Sequence, residues 1–232
     1  MILQYLNSHS MSTTAAALKP RKSPVQARSV ATIEALHIAA IQVLTKEGLS
    51  RCTTTRIAAR AGMSVGSLYQ YYPHRDALLA AVLEQHLGGV AAAVERACSE
   101  HRGTPVSEMA SALVTAYLAV KLRNSAESKA LYAVAEGRGG AALVARGRRR
   151  MVAAMTAMLA SAPDAHFDDP AMTGMVLFSV LAGPVRLLLE GHAPAGFEAR
   201  LKEQLILLVT AFLNAHRLRQ ENPGRMAAAL LP

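Results

Sequence analysis

The chain has 232 residues, 52% of them hydrophobic yet only 4% aromatic and none tryptophan; Ala, Leu, Val and Met carry the apolar content, which favours packed helices over sheets. Lys and Arg number 25 against 16 Asp and Glu, a net charge of +9, and that excess points to a polyanionic partner such as nucleic acid or an anionic surface. Two cysteines, Cys52 and Cys98, without CxxC spacing exclude a disulfide scaffold and suit a reduced, cytoplasmic protein.

Residues 1–24 show no periodicity, and their TTAAALKPRKSP run reads as a flexible basic arm, with either Met1 or Met11 as the start. The opening MILQYLNSHS lacks the charged and then apolar regions of a secretory signal. A first amphipathic helix is predicted from about Gln26 to Glu47, with Ile33, Leu36, Ala40, Val43 and Leu44 at spacings of three and four and Gly48 ending it. Thr53 is placed to cap a short helix that turns Ile57, Ala58 and Ala61 inward and stops at Gly62. Ser64 is placed to cap another, Val65–Tyr72, closed by Pro73. A long helix follows from about Arg75 to Glu100. Further helices are predicted at 105–123, 126–136, 141–161, 169–190 and 196–217, separated by breaks rich in Gly, Pro, Asp or His, and residues 218–232 read as a frayed tail. The most apolar stretches, Ala171–Val185 and Gln204–His216, are too short to span a bilayer, so no membrane partner is expected.

The informative segment is TTTRIAARAGMSVGSLYQYYPHRDAL, Thr53–Leu78. Two short helices joined at Ala61-Gly62-Met63 form a helix-turn-helix by pattern: small Ala58 and Ala61 permit close crossing and Gly62 accepts the turn. The second helix is expected to expose Val65, Gly66, Ser67, Gln70 and Tyr71 while Leu68 and Tyr72 face inward. A helix with so slim an end can enter the major groove, with Ser64, Tyr69 and Arg75 available to phosphate oxygens. Residues 1–88 hold nine Lys or Arg and four Asp or Glu, so +5 of the charge lies on this side of the chain.

The stretch over about residues 28–80 resembles the TetR family of transcription regulators: Ala39-Ala40 with Leu44, then Gly48, threonines before Ile57-Ala58, and AG-x-S-x-G-x-LY-x-[HY]-[FY] followed by Arg75, Asp76 and Leu78. Arg56, Tyr71 and Arg75 depart from the family's frequent acid, histidine and lysine, which bears on operator sequence rather than on DNA binding. The resemblance implies an all-α protein: an N-terminal three-helix helix-turn-helix DNA-binding domain over 25–75, joined to a larger helical ligand-binding and dimerisation domain over 76–217. It implies DNA contacts from Thr54, Thr55, Ser64, Val65, Gly66, Ser67, Tyr69, Gln70, Tyr71 and Arg75. It further implies a ligand-responsive regulator, a repressor released from double-stranded operator DNA by a small, largely apolar effector.

Met109, Leu113, Tyr117, Tyr132, Met155, Met158 and Phe178 recur at helical spacings and are core residues by pattern; the resemblance implies that some of them line the effector pocket, with Tyr117, Tyr132 or His166 as polar handles. The last two long helices are apolar almost all round, as a helix needing a partner would be, and by resemblance they pair with their copies in a homodimer. No HExxH or Walker pattern is present, so no catalytic residue, metal or cofactor is expected. The arginine cluster Arg146, Arg148, Arg149 and Arg150 reads as a solvated face, and Cys98 as a small buried hydrophobe. Two alternatives stand beside this reading: a DNA-binding regulator or architectural protein without a ligand, and a helical enzyme with a DNA-binding head.

Overall fold

The computed structural model describes residues 27–137 and 139–221; the arm expected over 1–24 and nearly all of the expected tail lie outside the described residues. Among the described residues the chain forms nine α-helices, one 3-10 turn and no strand. They are α1 (Ala27–Glu47), the 3-10 turn Leu49–Arg51, α2 (Thr54–Arg60), α3 (Val65–Tyr71), α4 (Arg75–Glu100), α5 (Val106–Arg123), α6 (Ser125–Ala135), α7 (Gly140–Leu159), α8 (Pro170–Glu190) and α9 (Phe197–Glu221). The described residues divide into two compact units, 27–87 with 126–145 and 88–125 with 146–221. Packing thus cuts the chain at other places than the functional boundary expected after residue 75.

In the first unit α1 packs on α2 and on the 3-10 turn, and α2 packs on α3. Their shared core is Leu36, Ala39, Ala40, Val43 and Leu44 of α1, Ile57 and Ala58 of α2, Leu68 of α3, Tyr72, and Ala77 to Leu79 with Val82 and Leu83 of α4. Leu131 and Val134 of α6 belong to the same cluster. Gly48 follows α1 with φ +79° and ψ 170°, an extended conformation of positive φ in which a side chain would be strained.

In the second unit α5 packs chiefly against α9, and α8 packs on both. α9 buries Leu201, Leu205, Val209 and Leu213, and α8 buries Leu177, Leu181, Val185 and Leu189, each set on one i, i+4 face. Local caps fix where α8 begins and ends. Asp169 accepts hydrogen bonds from the amides of Ala171 (3.0 Å) and Met172 (2.9 Å), Pro170 opens the helix, and Gly191 closes it in the left-handed conformation. Two loop contacts were not legible beforehand: the Val106 amide donates to Asp164 Oδ1 at 3.0 Å, and the Gly103 amide to Ser161 Oγ at 3.0 Å.

The argument from length about membranes needs correction. Pro170–Glu190 continues as helix through Pro184, and both it and Arg75–Glu100 are long and apolar enough to cross a bilayer by length and composition alone. Each nonetheless buries one side against protein.

Candidate nucleic-acid interface

α2 and α3 have seven residues each, too few to persist in water, and are held by caps and the core beneath them. The Arg56 amide donates to Thr53 Oγ1 at 3.3 Å, and the Ser67 amide donates to Ser64 Oγ at 3.0 Å. Both caps fall where the sequence placed them. Between the helices Gly62 takes φ +70°, as the turn requires. Ser64 Oγ also lies 2.9 Å from Ser67 Oγ, and Thr54 Oγ1 lies 3.4 Å from the Tyr69 hydroxyl, so polar groups of α2 and α3 form one patch.

Leu68 and Tyr72 face inward as expected, Tyr72 only 1% exposed. Thr55, Ser64, Gly66, Tyr69 and Gln70 are exposed, and Thr54, Ser67 and Arg75 are half-buried beside them. Val65 and Tyr71, expected on the exposed side, are half-buried and pack against the core.

The cations here have local partners. Arg56 pairs with Glu47, Arg60 Nε donates to Gln42 Oε1 at 2.6 Å, and Arg75 Nε donates to Asp76 Oδ1 at 3.0 Å. A guanidinium carries five N–H donors, so one such bond does not exhaust it.

Two supports of this surface were missed. His74 Nδ1 accepts the Ala77 amide at 3.1 Å and so holds the first turn of α4; a polar residue just before the first turn was the available signal. His37, buried on α1, bridges the Tyr72 hydroxyl (Nε2, 2.6 Å) and Gln85 Oε1 of α4 (Nδ1, 2.5 Å). An amide oxygen can only accept, so Nδ1 carries the proton and Nε2 accepts from the Tyr72 hydroxyl. Burial lowers the His37 pKa, outweighing the Gln85 bond, and pushes the Tyr72 phenol up to about 12.

Residues 38–82 match the family model for bacterial regulatory proteins of the tetR family, and residues 105–213 match the model for the tetracyclin repressor-like C-terminal domain. The chain belongs to the TetR family. Solved structures agree on the fold. A candidate TetR-family transcriptional regulator of Mesorhizobium loti MAFF303099 superposes with TM-score 0.69 at 18% identity, covering 82% of this chain and 98% of that one. The fatty acid degradation regulator FadR of Bacillus halodurans gives 0.65 at 16%, covering 82% and 96%. FadR of Bacillus subtilis, in complex with stearoyl-CoA, gives 0.63 at 12%, covering 76% and 97%. No curated protein matches significantly.

In this TetR-family chain the expected effector residues are only partly brought together. Met109, Leu113, Tyr117, Met155 and Met158 are buried in the second unit and Phe178 is half-buried there, whereas Tyr132 lies in the first unit. His166 is exposed, its Nε2 3.8 Å from the Asp168 carboxylate. Among the described residues, hollows of about 120, 450 and 510 Å³ are lined by none of the eight.

The second unit also buries Lys121 of α5, whose ammonium desolvation pushes down to about 8; nothing in the helical pattern distinguished it from a surface lysine. Cys98 is buried, and burial with the nearby Glu95 pushes its thiol up to about 12, an unreactive state that fits a core role. Of the arginine cluster, all exposed, Arg150 makes a two-pronged pair with Glu95 at 2.8 and 2.6 Å. Among the described residues no three His, Cys, Asp or Glu side chains gather to hold a metal.

Proposed function

We propose that the chain is a homodimeric repressor that reads operator DNA with α3 and leaves it when a small, largely apolar molecule binds the second unit. The observation that carries the reading is the outward face of α3. Gly66 leaves its first turn slim, Ser64, Ser67, Tyr69 and Gln70 offer hydrogen-bonding groups, and the opposite side is anchored by Leu68 and Tyr72. Thr54, Thr55 and Arg75 extend that surface toward the phosphates, and Val65 and Tyr71 contribute from its edges. TetR-family regulators are dimeric, effector-binding DNA binders, and the dimer proposed here uses α8 and α9, which carry six exposed large apolar side chains: Met172, Met175, Val176, Leu187, Leu207 and Leu208.

The effector is proposed to enter among Met109, Leu113, Tyr117, Met155, Met158 and Phe178, where three flexible thioethers can repack around an apolar guest, with Tyr117 and His166 as candidate polar handles. The burial of Met109, Leu113, Tyr117, Met155 and Met158 as core residues suits a second reading, a DNA-binding regulator without a ligand. A thermal-shift screen separates the two: the first requires a compound that raises Tm and weakens DNA binding.

The DNA reading is tested by salt dependence and base preference. Arg75→Ala should flatten the slope of log affinity against log salt by about 0.9 per protomer, the effect of one lost phosphate contact. Gln70→Ala should relax base preference at one or two operator positions and leave that slope unchanged. A Gln70→Ala protein with full base preference at every position would overturn the assignment of α3.

A further inference from the structure

We propose that neutral His37 is a positioning residue for α3: it clamps the end of that helix to α1 and α4, and operator binding weakens in acid because the protonated ring cannot keep the clamp. The role rests on the reading that α3 meets DNA; the clamp itself does not.

The two ends of α3 are held differently. Ser64 caps the start at the surface, whereas Tyr72 closes the far end in the core, its amide donating to the Leu68 carbonyl at 3.0 Å. Gln70, the proposed base-reading side chain, stands two residues before it. His37 of α1 meets Tyr72 through both hydrogen bond and ring: Nε2 accepts from the hydroxyl at 2.6 Å, and the rings lie 5.9 Å apart, tilted by 39°. Through Nδ1–H, 2.5 Å from Gln85 Oε1, the same imidazole reaches α4. One ring thus joins three helices of the first unit, and it can do so only with a single proton on its two nitrogens.

A second proton removes the acceptor that Tyr72 needs. Nε2–H would have to donate to the Tyr72 oxygen, and the Tyr72 hydrogen would then need another acceptor; among the described residues that hydroxyl bonds only to His37. The added charge would also be buried, since His37 is 8% exposed and pairs with no carboxylate. Glu34 on α1 and Glu84 on α4 are exposed and make no bond to it. Asp76 is bonded to Arg75, Glu47 to Arg56, Glu127 to His86 and Arg60 to Gln42, and α3 carries no charged residue. Burial accordingly lowers the His37 pKa, outweighing the Gln85 bond. An imidazolium flanked by one hydroxyl and one amide is better solvated in water than in this core, so the protonated ring turns outward and Tyr72 loses its partner. Gln85 is exposed and takes water instead. The end of α3 is then no longer tied to α1 and α4. Ordinary electrostatics has the opposite sign, because each histidine that gains a charge draws DNA closer. The direction of the pH response therefore separates the clamp from the general behaviour of a basic protein.

The test uses the full-length protein, an operator selected by it from a random-sequence pool at pH 7.5, and a random duplex of equal length. From pH 7.5 to about 5 the wild-type Kd for the operator should rise at least tenfold, as when each of two protomers must shed a proton to bind, while that for the random duplex does not rise. His37→Gln keeps a donor and an acceptor but does not titrate. It should bind the operator within about threefold of the wild type at pH 7.5 and lose the acid response. Gln85→Glu, at an exposed position, gives the imidazolium a counter-charge and should raise the His37 midpoint seen by imidazole NMR by about one pH unit or more. Circular dichroism accompanies each titration, and loss of helix in step with loss of binding would overturn the clamp in favour of plain unfolding. A wild-type operator Kd that is flat or falls toward acid, an acid loss that persists in His37→Gln, or a midpoint unmoved by Gln85→Glu overturns the role of His37 and leaves the DNA reading standing. A pool that yields no operator overturns the DNA reading, and this role with it.

Discussion

A Cβ added at Gly66 would meet Ser64 Oγ at 3.7 Å, an ordinary contact, so nothing inside the fold requires glycine there. The missing side chain is felt only outside, where the proposal puts DNA. Gly66→Ala should therefore hold or raise stability, by up to about 1 kcal/mol from helix propensity, while weakening DNA binding tenfold or more; thermal unfolding and fluorescence anisotropy on one sample check both. A loss of stability matching the loss of binding would show that glycine serves the fold instead. The caps at Thr53 and Ser64 and the turn at Gly62 were legible because each acts within three or four residues. His37 was not, because its partners Tyr72 and Gln85 lie 35 and 48 positions away. Its lowered pKa makes a second prediction. The unfolded chain takes up a proton near the ordinary imidazole value of about 6.5 while the folded chain does not, so the His37 contribution to stability is full above that pH and declines as pH falls through the window below it. Imidazole NMR should find His37 titrating below the ordinary value of about 6.5; a midpoint at or above that value contradicts the buried neutral imidazole assigned here.

The helices themselves were readable because hydrophobic periodicity and Gly, Pro or Asp breaks are local signals, and their bounds came out within about two residues for most. What periodicity does not give is which apolar face of an all-round apolar helix is turned in. On α9, read from the sequence as apolar almost all round, Leu205 is 2% exposed and belongs to the core with Val209, whereas Leu207 is 63% and Leu208 52% exposed. Leu205 is thus a poor probe of assembly, since a charge there would break the monomer. Leu207→Glu with Leu208→Glu places both charges in water in a monomer but buries them in the proposed dimer, where an unpaired ion costs several kcal/mol. Sedimentation should show a folded monomer, with helical content preserved. A double variant that sediments as the dimer would remove α9 from the interface.

At the scale of the whole molecule, DNA reading and ligand sensing are linked by mass action. An effector that binds the DNA-free form a hundredfold better supplies about 2.7 kcal/mol of coupling, and operator DNA must then weaken the effector by the same factor. Two-fold symmetry makes a further demand: two copies of α3 must meet two half-sites on one face of the duplex. The pocket was the least legible part of the chain. The residues expected to line it are core residues by the same periodicity, and a sequence pattern does not separate packed Met155 and Met158 from hollow ones. The helix-turn-helix surface proposed to read DNA was far more legible as structure because its glycine, caps and short helices are local. It also carries the central claim, and selection of bound duplexes from a random-sequence pool by the full-length protein tests that claim most directly. The account predicts enrichment of one sequence with inverted half-sites whose centres lie about 10 base pairs apart or a multiple of that. Recovery of no preferred sequence, or of a single asymmetric site bound by one protomer, would contradict it.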